Sequence, residues 1–134
     1  MNKDLIKLIK DALVHMGCPL SVLGKIDPNS PIEFTFNNGI VMHLTMANEA
    51  MWLYSPVEDY NEKLIEQNGA RFLVQIMRPY PFFVTGKLSL SNENGKLVLQ
   101  GMVNEETLKS VPFFATALQV FFDAALKLRQ IIKE

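Results

Sequence analysis

Residues 59–83, DYNEKLIEQNGARFLVQIMRPYPFF, decide how the chain divides. Leu64, Ile65, Phe72, Leu73, Ile76 and Met77 recur at helical spacing, which predicts one helix running from Asp59 between two β-rich segments. The first half of this helix is much more polar than the second. Pro79 and Pro81 stop it, because each lacks a backbone N–H and biases its predecessor away from helical angles. Gly69 falls near the middle, where glycine costs about 1 kcal/mol relative to alanine. A glycine there fits either close approach by another backbone or a tolerated weak position.

Upstream of this helix the pattern changes to period two. Ala50 to Tyr54 is apolar on both faces, with Trp52 and Tyr54 on one side and Met51 and Leu53 on the other. A strand of that kind is covered twice or binds something. Ala47-Asn48-Glu49 turns the chain out of the preceding strand, where Ile40, Met42, Leu44 and Met46 alternate with Val41, His43 and Thr45. Asn37-Asn38-Gly39 joins that strand as a hairpin to Ile32, Phe34 and Phe36, which alternate with Glu33 and Thr35. Asp27-Pro28-Asn29-Ser30-Pro31 is a turn-rich boundary, and Ser21 to Lys25 fits one short helical turn. The chain opens with an amphipathic helix, Asp4 to Met16, whose stripe is Leu5, Leu8, Ile9, Ala12, Leu13 and Met16. Gly17 suits its C-terminal cap, and Pro19 prevents continuation.

Downstream, Phe82 to Leu90 and Lys96 to Val103 read as a second hairpin around Ser91-Asn92-Glu93-Asn94-Gly95. Gly86 and Gly101 near its open end suggest a bulge or a close neighbour. Asn104, Glu105 and Glu106 start a separate turn, and Pro112 places the long helix proper from about Val111. Its apolar stripe is Val111, Phe114, Ala115, Leu118, Phe121, Phe122, Ala125, Leu128 and Ile132. The order is helix–β–β–β–helix–β–β–helix. That predicts a single α+β domain over residues 1–134 with a mainly antiparallel sheet.

Composition narrows the function. Of 134 residues, 49% are hydrophobic and 20% charged, which excludes disorder and leaves apolar side chains over for an interface. A formal net charge of −1, with basic residues scattered among acids, offers no footprint for nucleic acid or an anionic membrane. Cys18 is the only cysteine, so no intramolecular disulfide exists. It follows a helix C-terminus, where a thiolate is disfavoured, and reads as a small buried residue. Charged residues interrupt the N-terminal segment as they would not in a signal peptide. The apolar run from Val111 to Leu126 contains Gln119 and Asp123 and is too short for a comfortable membrane span. These features lead to the expectation of a soluble, cytoplasmic protein.

Catalytic and ligand chemistry is sought and not found. Gly24-Lys25, Gly86-Lys87 and Gly95-Lys96 lack the flanking residues of a phosphate-binding loop. His15 and His43 are too few for a metal site and read as a helix-end residue and a polar-face residue. Glu58-Asp59 and Glu105-Glu106 read as helix-start carboxylates. No metal, cofactor or enzymatic activity is expected. Most of the seven methionines and nine phenylalanines are core, yet Met42, Met46, Met51, Trp52 and Tyr54 crowd two adjacent strands. Such soft, adaptable side chains suit a surface that accommodates varied apolar ligands.

Gly17-Cys18-Pro19-x-Ser21-Val22-Leu23, the Ile26-Asp27 turn, Met51-Trp52 and the order of elements resemble the class I type III secretion chaperones, and within them the InvB/SpaK branch, class IB. The resemblance covers essentially the whole chain, although this chain is less acidic than many members. It implies a cytosolic homodimer that binds the N-terminal region of one or more secreted effectors, keeps it extended and soluble, and promotes its delivery to the export apparatus. It also allows contact with the secretion ATPase. It implies effector grooves from the first helix and first three strands, here Ile32, Phe34, Phe36, Met42, Leu44 and Trp52. The dimer seam it implies comes from the second helix and an adjacent strand, here Gly69, Phe72, Leu73, Ile76, Phe82, Phe83 and Val84. Two other readings stay open: a small-molecule-binding or enzymatic α+β module with an enclosed apolar pocket, and an ordinary obligate dimer whose apolar surplus is all core and interface.

Overall fold

Alternating residues of three strands, Met42 and Leu44, Met51 and Leu53, and Leu97 and Leu99, point to one side of a sheet, where all but Leu97 are wholly enclosed. The computed structural model describes residues 3–17, 32–36 and 38–133. In chain order these form α1 (Lys3–His15), β1 (Ile32–Thr35), β2 (Val41–Ala47), β3 (Ala50–Asp59) and α2 (Glu62–Ile76), then β4 (Ser89–Glu93), β5 (Lys96–Met102), α3 (Glu105–Leu108) and α4 (Val111–Lys133). The sheet has five strands in the order β1-β2-β3-β5-β4, and every neighbouring pair is antiparallel. This is the α+β architecture expected from the periodicities, with α3 as the separate turn before the long helix. Cys18, the segment Ser21–Lys25 and the proline-rich boundary at 27–31 lie outside the described residues.

The sheet's inner face and the helices share one core. Leu8, Ile9, Ala12 and Leu13 of α1 meet Phe114, Leu118, Phe121, Ala125 and Leu128 of α4 over the strands. Phe36, just beyond β1, packs on Phe122 with ring centroids 4.4 Å apart. The α4 stripe is displaced from the expected one: Ala117 and Ile131 are buried, whereas Val111, Phe122 and Ile132 are only partly covered. At 23 residues α4 is long and apolar enough to cross a membrane, so the run is not too short once the whole helix is counted. Its packed face is this core.

Two boundaries differ from the sequence reading. Glu58 and Asp59 end β3 and do not begin a helix; the alternation of β3 continues inward through Ser55 and Val57. Asp59 pairs with Lys96 across the ladder. The helix starts three residues later, where Asn61 Oδ1 accepts from the Leu64 N–H at 2.9 Å. Phe82 to Leu88, expected as a strand, makes only one isolated bridge, Phe83 to Val103. Thr85 and Gly86 then take φ of 59° and 68°, which breaks the pleat and forms a 3-10 turn over Val84–Gly86. The fold brings Phe83 and Leu88 inward over Gly101. A Cβ at position 101 would lie 2.4 Å from Leu88 Cδ2 and 2.9 Å from Phe83 Cδ1, so glycine there is required by close packing.

Candidate functional site

Among the described residues, the opposite face of the sheet carries no core. Trp52, Tyr54, Val98 and Met102 all lie outside the cluster that joins the helices to the inner face. Strand pairing sets them in rows, because directly opposed residues share a face. One row crosses all five strands as Glu33, His43, Tyr54, Gln100 and Ser89. Thr45, Trp52 and Met102 form the row on one side, and Pro56, Val98 and Ser91 the row on the other. Val98 is only 7% exposed although it is not in the core, so its outward neighbours must shield it.

This face is partly pre-ordered. The His43 ring stacks on Tyr54 with centroids 4.6 Å apart and planes 7° from parallel. Glu33 Oε2 lies 3.9 Å from His43 Nδ1, an ion pair only when the imidazole is protonated. Gln100 Nε2 donates to Ser91 Oγ at 3.3 Å. Two shallow troughs flank Tyr54 and Gln100, which line both. One, of about 460 Å³, extends along Pro56 and Val98 to Lys96 and Glu93; the other, of about 310 Å³, runs beside Trp52, Thr45 and Ala47. Lys96 Nζ donates to Asp59 Oδ1, and this bond, with the Asp59 charge, holds the ammonium above its ordinary pKa. Both troughs are open and lined by strand and turn residues alone, which suits an extended or helical segment laid across the sheet better than an enclosed small molecule.

A second apolar surface lies on α2. Leu64, Asn68 and Phe72 are its buried residues. Asn68 satisfies its own amide there, donating to Leu64 O at 3.1 Å and accepting from Arg71 at 2.6 Å. Ile65, Gly69, Leu73 and Met77 recur at four-residue spacing along an uncovered ridge, with Ile65 38%, Leu73 52% and Met77 64% exposed. Val74, at 60%, widens it. Ridges of this spacing are the ones that interlock when two helices pack. Among the described residues, a Cβ built at Gly69 meets Ile65 Cγ2 alone, at 3.6 Å, an ordinary contact that does not call for glycine.

The residues singled out from sequence are divided by these surfaces. Among the groove candidates, Trp52 lies on the uncovered face. Ile32, Phe34, Phe36, Met42 and Leu44 belong to the inner side; Met42 and Leu44 have no exposure, so they cannot meet a partner while the protomer's core is intact. Among the seam candidates, Phe72 and Phe83 are 2% exposed and committed to the core, Phe83 facing Phe121 across 6.2 Å. Leu73 is exposed, while Gly69, Ile76, Phe82 and Val84 are half-buried. Tyr54, which the sequence groups with Trp52 as an adaptable apolar residue, and His43, which it reads as a polar-face residue, join Trp52 on this face; Pro56, Val98, Gln100 and Met102, and on α2 Ile65, Val74 and Met77, are not among the sequence candidates for either surface. For Tyr54 and His43 the signal was present, since strand alternation puts both on the side of Trp52.

The invasion protein B family model matches residues 17–94, more than half of the chain. The Surface presentation of antigens protein SpaK of Salmonella typhimurium is 27% identical over 120 residues, covering 90% of this chain and 89% of its own length. The SpaK protein of Salmonella typhi matches to the same extent. The crystal structure of the ExsC–ExsE complex contains a chain that superposes with a TM-score of 0.65 over 97% of this chain and 96% of its own, at 15% identity, a likeness of fold. The chain belongs to the invasion protein B family and is a type III secretion chaperone of the InvB/SpaK type.

Proposed function

We propose that this chain works as a cytoplasmic homodimer that binds the N-terminal chaperone-binding segment of one or more secreted proteins and keeps it extended and soluble for export. The observation that carries this reading is the uncovered sheet face: Trp52 and Tyr54 sit half-buried beside open troughs, outside the protomer's core. A bound segment places apolar side chains in the two troughs and polar ones against Gln100, Glu93 and Lys96. The Ile65–Gly69–Leu73–Met77 ridge is the seam with a second copy. Its exposed apolar side chains need a cover, and Gly69 at its centre permits two helices to approach closely. The chain carries out this task by binding alone, with no reaction of its own.

The test is co-expression with N-terminal segments of the proteins exported by the same secretion system, followed by limited proteolysis and mass spectrometry of what is protected. A protected segment, lost in Trp52→Ala and Tyr54→Ala but retained in the exposed-loop variant Glu49→Ala, is the expected result. A strict monomer that protects no segment from any of these proteins would falsify the reading.

A further inference from the structure

The chain contains three Asn-Gly steps, at Asn38-Gly39, Asn68-Gly69 and Asn94-Gly95. Each is chemically able to deamidate. The following glycine's backbone nitrogen attacks the asparagine Cγ, its proton and the side-chain nitrogen leave as ammonia, and a five-membered succinimide forms. Water then opens that ring at either carbonyl, giving aspartate or, through the side chain, isoaspartate. No oxidant or reductant takes part. The step needs a free glycine N–H, an untethered side-chain amide and room to rotate into the ring geometry.

The three sites differ in all of these respects. Asn68 is 7% exposed, its amide is held at both ends by Leu64 O and Arg71, and Gly69 lies inside α2. Its cyclisation therefore demands helix opening. Asn38 is exposed, but its Oδ1 accepts from the Ile40 N–H at 3.1 Å, and the Gly39 N–H is bonded to Phe36 O at 2.9 Å. Asn94 is exposed in the two-residue turn between the paired Glu93 and Lys96, with φ of 52° at Asn94 and 80° at Gly95. Among the described residues, neither its side-chain amide nor the Gly95 N–H has a hydrogen-bond partner.

We infer that Asn94 is this protein's site of spontaneous deamidation, and that the modification rewrites one rim of the uncovered sheet face. Asn94, Glu93 and Lys96 all line the larger trough. Conversion puts a second carboxylate beside Glu93 and takes the formal net charge one unit below −1. The isoaspartyl form also inserts a main-chain methylene into the turn, whose Gly95 carbonyl accepts from the Tyr60 N–H at 2.9 Å and so ties the turn to the β3–α2 connection.

The experiment incubates the folded full-length protein in mildly alkaline buffer and follows each Asn-Gly peptide by mass spectrometry, beside a urea-unfolded control. In the control the three steps react at similar rates. In the folded protein Asn94 is expected to convert at least about tenfold faster than Asn68, equivalent to about 1.4 kcal/mol of extra opening cost at the helical site. It should also precede Asn38. Equal rates in the folded protein, or Asn38 or Asn68 converting first, overturn the assignment. So does an Asn94 that stays intact while the unfolded control reacts. The readout is independent of whether any secreted protein binds.

Discussion

The two faces of the β-sheet are made by the same strands, yet they serve opposite ends. On β3, Met51, Leu53, Ser55 and Val57 turn inward and are buried, while Trp52, Tyr54 and Pro56, interleaved with them, are half-exposed. The inner residues are fixed by neighbours from α1, α4 and the other strands. Among the described residues, the outer ones are held by each other, as in the His43–Tyr54 stack and the Gln100–Ser91 hydrogen bond. A face packed by helices is committed to stability. A face supported from the sheet plane is ordered yet open, which is the basis of the binding role proposed for it.

Substitution can break that contrast most sharply on adjacent residues of one strand. Leu53→Ala should cost about 3 kcal/mol of stability in urea unfolding, because Leu53 has no exposure and the vacated space is enclosed. Tyr54→Ala should cost less than about 1 kcal/mol, the range of side chains away from the core, while abolishing capture of the secreted segment. Equal destabilisation by the two would mean that the outer face is also structural. A smaller effect is expected on α2. Gly69→Leu should raise the stability of the protomer fold by up to about 1 kcal/mol through helix propensity. The same change should weaken the proposed dimer in analytical ultracentrifugation; a dimer that is unchanged moves the seam elsewhere.

A comparably small effect sets the outer Tyr54 against an inner tyrosine, Tyr80. Tyr80 is 6% exposed and its hydroxyl donates to Gln75 O at 2.7 Å. Burial holds its phenol above the ordinary value of 10.0, against a lowering by Arg78. The unfolded chain therefore gives up this proton first. Stability from Tyr80 is full below that ordinary value and is lost as pH rises through it toward the folded pKa. Tyr80→Phe should cost about 1 kcal/mol at neutral pH and flatten the alkaline decline measured by thermal unfolding.

What was legible in the sequence follows the same division. Period-two and period-3.6 patterns report which residues face the same way, so the element order, the inner strand residues and the α1 stripe were readable. They do not say which of two apolar faces is covered. The groove that the resemblance implies therefore includes Met42 and Leu44 of the inner face, while Tyr54, singled out with Trp52 as an adaptable apolar side chain, is absent from it. The seam that the resemblance implies includes Phe83 because residues 82–90 read as the strand beside the second helix. The positive φ at Thr85, a residue with no preference for it, is a tertiary effect that folds Phe83 over Gly101. On α2 the apolar residues were seen as one group. Only the position of α2 against the core separates buried Leu64 and Phe72 from exposed Ile65, Leu73 and Met77.

Pro56 has a consequence for solubility. Among the described residues, the ladder between β3 and β2 runs from Ala50 to Tyr54, whereas the ladder to β5 continues to Asp59. Ser55 Oγ bridges part of the gap by donating to Val41 O at 2.6 Å. The rest of this side of β3 has no ladder partner among the described residues, and unpaired strand edges are where identical chains can join into fibrils. Proline offers no N–H there, the register shift between Pro56 and Glu58 bends the strand, and Glu58 and Asp59 end it in negative charge. The strand thus carries its own safeguard against polymerising along that edge.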